Sequence, residues 1–139
     1  MIQYIFDPGN YPQLINIALL FLRIAIGVLM LSHGKVKLLK LLGPKPYQFA
    51  DPMGVGITAS LMLAVFAEVF CSLLLIFGLG TRLALVPLIV TMLTAFFIIY
   101  KGEPFATKEL PLLYLFIYIT LMIAGAGNYS VDSFIYGNL

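Results

Sequence analysis

The chain has 139 residues, of which 62% are apolar and 10% charged, and its mean hydropathy is +1.06. That composition excludes an ordinary soluble domain and defines an integral membrane protein. A formal net charge of +2 gives no support for a nucleic-acid partner, and the apolar runs leave no length for a soluble catalytic domain.

Four segments are long enough to cross about 30 Å of hydrocarbon as helices. They are Leu14–Ser32, Ile57–Phe77, Leu83–Tyr100 and Leu110–Ala126. The expected fold class is all-α, a four-transmembrane-helix bundle forming a single domain over residues 1–139.

The first run carries Arg23 at its centre, lacks a basic leader and shows no small-x-small exit, so it reads as a retained helix and not as a cleaved signal. Lys35-Val-Lys-Leu-Leu-Lys-Leu-Leu42 follows, and Gly43-Pro-Lys-Pro46 then stops any helix, because proline lacks the donor and fixes its own torsion. This basic segment, about residues 35–50, is expected to lie at the membrane interface with its lysines snorkelling to headgroups. The second run has Glu68 at its centre, and Gly78–Arg82 makes a tight turn into the third. Lys35, Lys37, Lys40, Lys45, Lys101 and Lys108 fall on one side of the membrane against Arg82 on the other. The positive-inside bias then makes the lysine side cytoplasmic and places both termini outside.

At helical periodicity each run gathers its polar and small residues into a stripe. Asn16, Arg23, Gly27 and Gly34 share a face of the first; Ser60, Ala64, Glu68, Cys71 and Ser72 a face of the second; Ala84, Pro87, Thr91 and Thr94 a face of the third; Tyr114, Tyr118, Met122 and Gly125 a face of the fourth. Arg23, Glu68, Thr91 and Tyr118 lie near the centres of their runs, so converging stripes would form one polar layer at mid-membrane. A charge at that depth persists only beside a partner or a wet cavity, and Glu68 is the expected partner of Arg23. Two readings of the layer stay open: a buried structural ion pair, or the floor of a ligand pocket.

His33 and Lys37 end the first run on the side where Glu109 opens the fourth, which suggests a second cluster. Arg82 and Asp132 should meet as a rim pair on the opposite side. One histidine and scattered carboxylates give no metal-ligand spacing, a haem-binding histidine pair is excluded within one chain, and no dinucleotide fingerprint occurs. Cys71 is the single cysteine, so no internal disulfide or dithiol cycle is available. No catalytic residue can be assigned.

Arg23 with Ser32-His-Gly-Lys-Val-Lys-Leu38, Ala67-Glu68, Gly78-Leu-Gly-Thr-Arg-Leu83, Glu109-Leu-Pro-Leu-Leu113 and Gly125-Ala-Gly-Asn-Tyr-Ser-Val-Asp132 occur in the order and spacing of a known family. Over nearly its whole length the chain resembles the DoxX family of small four-helix membrane proteins. It departs from that pattern at Cys71-Ser72 and in the longer loop around Gly43-Pro-Lys-Pro46. The resemblance implies a bacterial or archaeal cytoplasmic-membrane protein, an accessory membrane subunit of a quinone-linked redox system concerned with thiosulfate or thiols. It also implies a quinone or similar lipophilic ligand, with Arg23, His33 and Tyr118 as polar contacts, and a soluble or membrane redox partner, since the isolated chain has no group with which to complete an electron transfer. Two other classes stay open: a small-solute transporter or permeation subunit, for which four helices are minimal unless a homo-oligomer forms, and a structural scaffold.

Overall fold

The structure is a computed structural model that describes residues 7–9 and 11–139. Among these residues all regular structure is helical, and four helices have the length and apolarity to span a membrane. They are α1 (Pro12–Leu41), α2 (Ile57–Phe77), α3 (Thr81–Ile99) and α4 (Phe105–Ala124), followed by a short α5 (Val131–Gly137).

The basic stretch expected to be a separate interfacial segment is instead the last turns of α1, which continues unbroken to Leu41. Thirty helical residues extend about 45 Å, enough for the hydrocarbon and both headgroup layers. The lysines therefore reach the interface on a rigid helix. Pro12 opens α1 at its first turn, where its missing N–H is no loss. At the other extreme α2 ends on Gly78, whose φ of +69° closes the helix with the Leu79 amide donating to the Leu74 carbonyl.

α3 begins at Thr81 and α4 at Phe105, both earlier than the apolar runs suggest. The cause at α3 is a distant one: the Asp132 carboxylate accepts from the Gly80 and Thr81 amides at 2.6 and 2.8 Å, supplying the cap that the local sequence lacks. At α4 the preceding Pro104 provides an extended entry, so the helix starts in polar sequence before the apolar run.

Each helix packs against its neighbour in chain order, and α4 returns to α1 through a thinner contact. Leu61, Leu75, Leu85, Leu88, Leu121 and Tyr118 are wholly buried along the axis. Phe21, Phe77, Leu83, Phe97, Phe116 and Ile123 face outward, as lipid-facing positions of a membrane bundle should.

Small residues set the register of α1 against α2. A Cβ on Gly34 would fall 2.9 Å from the Glu68 carbonyl oxygen, and one on Gly27 would fall 3.3 Å from that of Ser72, so both glycines allow backbone-to-backbone contact. Two stretches depart from α-helical winding. Phe66–Cys71 in α2 and Ala95–Ile99 in α3 are π-helical, a winding that recurs at functional positions, and the first contains Glu68.

Candidate functional site

The expected polar layer is divided into two levels, and the expected Arg23–Glu68 pair is not formed. Gly34 stands beside Glu68, whereas Arg23 lies about 16 Å back along α1 at the ordinary helical rise. Arg23 is there level with the end of α2. Its guanidinium donates to the Leu75 and Ile76 carbonyls at 3.2 and 3.4 Å and to the Tyr129 carbonyl at 2.5 Å. It is fully buried, and it binds the carbonyl end of a helix, where the dipole favours a cation.

The expected Arg82–Asp132 rim pair is also replaced by helix capping. Arg82 donates to the Met122 and Ile123 carbonyls at 3.1 and 3.4 Å, at the end of α4. Asp132 caps α3, and burial opposes its ionisation, but the hydrogen bonds from Thr81 and Gly80 and the charge of Arg23 outweigh that and hold its carboxyl below the usual range. Asn16 joins the same rim by accepting from the Asn128 amide at 3.0 Å. Arg23, Arg82 and Asp132 are thus each engaged with backbone at or near a helix terminus, an arrangement suited to closing the bundle.

The other level contains a cavity of about 610 Å³ between all four long helices. That size lies within the roughly 300–1,000 Å³ of ordinary ligand pockets. Met30, Leu63, Ala64, Phe66, Val90 and Ile99 contribute apolar wall, while His33, Lys37, Glu68, Thr91 and Tyr114 bring polar atoms to it. Phe49 and Pro52 from the loop after α1 cover it on the lysine side. That loop is pinned by Asp51, which accepts from the Ser60 hydroxyl at 2.8 Å and from the Val55 and Gly56 amides. The Ser60 bond is the foremost cause of an Asp51 carboxyl held below its ordinary range.

Glu68 is paired with Lys37, Nζ to Oε1 2.5 Å, across the α1–α2 contact. The side chain of Lys37 is 29% exposed and that of Glu68 3%, so the lysine reaches inward from the wet interface to a buried carboxylate. Its ammonium also sits 5.7 Å from the Phe49 ring centroid. Glu68 Oε2 is buried and has no hydrogen-bond partner among the described residues, and neither has the Tyr118 hydroxyl.

The residues singled out in the sequence therefore sort unevenly. Glu68 and Thr91 share the cavity wall, with Thr91 donating to the Pro87 carbonyl at 2.8 Å. Tyr118 is buried behind the wall, its ring 6.0 Å from that of Tyr114. From the second expected cluster, His33 and Lys37 line the cavity, His33 edge-on to Tyr114 at 6.0 Å. Glu109 is exposed and makes no ion pair with either, so that cluster is incomplete. Lys37 as the partner of Glu68 was hidden because its neighbours read as a snorkelling collar. Tyr114 was visible as a stripe residue, and its one-turn spacing from Tyr118 was the signal that could have placed it at the site.

The fold and site define a class: a four-helix integral membrane protein with a largely apolar cavity between its helices and a half-buried ion pair in the cavity wall. Residues 18–101 match the DoxX family. A Haemophilus influenzae (strain ATCC 51907 / DSM 11121 / KW20 / Rd) relative, titled "Uncharacterized protein", is 34% identical over 122 residues, which cover 83% of this chain and 88% of the relative. No solved structure matches. The chain belongs to the DoxX family.

Proposed function

We propose that the cavity binds a lipophilic molecule with a polar head group, of the quinone class, and that the protein serves as an accessory membrane subunit of a quinone-linked redox system. The observation that carries this reading is the position of the Lys37–Glu68 pair in the wall of a largely apolar cavity of about 610 Å³. A pair with only a structural role has no need of a cavity beside it, and a charged pair within a membrane bundle points to a ligand or ion path.

The residues fit such a ligand. Lys37 has donors beyond the one given to Glu68, Glu68 has a free acceptor oxygen, and Tyr114 and His33 present aromatic edges on the same wall. The aliphatic residues further along would hold the tail. When bound, a quinone would supply two-electron redox chemistry that no side chain of this protein offers. What the chain itself does is bind, orient and exclude water: Asp51 holds the covering loop, and Lys37 holds the Glu68 side chain in place. A redox partner would deliver or receive the electrons.

Placing the lysine-bearing ends in the cytoplasm, with both termini outside, is part of the same proposal and follows from the lysine asymmetry. The test of the ligand is direct. The protein is purified in mild detergent and extracted with organic solvent, and the extract is examined by mass spectrometry. A stoichiometric quinone, lost from folded Lys37→Met protein but kept by folded Arg23→Lys protein, is the expected result. Bulk lipid alone from all three would defeat the reading and favour transport or scaffolding.

A further inference from the structure

Lys37 satisfies only half of the Glu68 carboxylate. Oε1 accepts from the ammonium, while Oε2 is buried and without a donor among the described residues. Glu68 is 2% exposed and forms part of the cavity wall. An ionised carboxylate is an acceptor only, and leaving one of its oxygens unpaired in low-dielectric surroundings is costly. The nearby hydroxyls do not meet the need. Thr91 donates to the Pro87 carbonyl and Ser60 to Asp51, and Tyr114 makes no hydrogen bond to Glu68.

We infer that the missing donor is supplied by the ligand, so that the cavity prefers a head group carrying an O–H: the reduced hydroquinone, or a phenol with an apolar tail, over the carbonyl-only quinone. The inference rests on the cavity being the ligand site proposed above. A hydroquinone hydroxyl donates to Glu68 Oε2 and accepts from Lys37, completing both groups. A quinone carbonyl accepts from Lys37 but leaves Oε2 as it is. Sites built to hydrogen-bond a ligand hydroxyl discriminate strongly against analogues that lack it, because the site's own polar group is then stranded. One unsatisfied buried acceptor corresponds to a preference of about tenfold or more. Tighter binding of the reduced form also raises the midpoint potential of the bound couple, by about 30 mV for each tenfold of preference.

The experiment is a titration series on the full chain in phosphatidylcholine nanodiscs under anaerobic conditions. The probes are a decyl-benzoquinone, the corresponding hydroquinone and the dimethyl ether of that hydroquinone, which keeps its size but has no O–H. The expected order has the hydroquinone tighter than the other two by about tenfold or more, and a midpoint potential shifted upward for the bound couple. In Glu68→Gln the new amide N–H serves the quinone carbonyl, and the preference collapses. Equal affinity for all three probes with wild-type protein would overturn the inference while leaving the cavity as a ligand site. Binding of none would overturn both. The wild-type series decides the matter even if the variant does not fold.

Discussion

Lys37 and Glu68 form the one ion pair among the described residues, and it links the wet end of α1 to the buried π-helical turn of α2. The pair sits one turn from the Gly34 contact, so the close approach of the two helices and the reach of the lysine are parts of one arrangement. Charge, register and cavity wall are therefore coupled at a single level of the membrane.

Lys37→Met should strand the Glu68 carboxylate and lower stability by about 1–3 kcal/mol, the usual cost of an unpaired buried polar group. Cys71 is buried and is the only thiol, so a thiol-reactive dye reports unfolding without further engineering. The double variant Lys37→Met/Glu68→Gln should recover much of the loss, since no charge is then left unpaired. A double variant no more stable than Lys37→Met would contradict the coupling.

Arg23→Ala should act differently. It removes the donors to three carbonyls and the positive charge beside Asp132, and should cost at least about 2 kcal/mol in the same dye assay. Arg23→Lys should restore only part of this, because an ammonium cannot reproduce the planar fork. Ligand retention by the folded fraction should be unchanged in both, since Arg23 lies at the other level. Loss of ligand from folded Arg23→Lys protein would return Arg23 to the binding site.

The spans were legible from the sequence because roughly twenty apolar residues in a row have few other uses. The pairing of charges was not. Placing Arg23 and Glu68 together assumed that the centres of two apolar runs lie at one depth, whereas α1 continues for 30 residues and its glycines slide it against α2. The roles of Arg82 and Asp132 were hidden for a related reason. The two residues were expected to meet as a pair, but each is consumed by a helix terminus, a partner that carries no sequence signal. The π-helical turn under Glu68 likewise has no local signature.

Gly34→Ala tests the register itself. The added Cβ would fall 2.8 Å from Val69 Cγ2 and 2.9 Å from the Glu68 carbonyl, contacts that backbone cannot relieve cheaply. A loss of about 1–3 kcal/mol is expected from this overpacking, and Gly34→Val should be worse. Gly54→Ala, where nothing lies within 4 Å but φ is +69°, is the control for backbone strain in open space. A Gly34→Ala protein as stable as wild type would remove the close α1–α2 contact from the account.

Acid should weaken the rim through Asp132, and the sign follows from its hydrogen bonds. Its carboxyl is below the ordinary range in the folded protein, opposed by burial but held there by Thr81, Gly80 and Arg23. A depressed folded value means that the stabilisation is complete above the unfolded value of about 3.9 and is lost as pH falls through the folded one. Asp132→Asn keeps one acceptor oxygen but turns an NH2 toward the second amide, and should therefore be less stable than wild type by about 0.5–1.5 kcal/mol near neutrality, the net value of one hydrogen bond. The gap should narrow steadily below about pH 4 as the wild-type carboxylate is protonated. Thermal unfolding of both proteins across this range measures it, with Asp51→Asn separating the contribution of the covering loop, whose aspartate is depressed by its bond to Ser60. A gap that stayed constant down to the lowest pH would show that the charge of Asp132 does not contribute to the cap on α3.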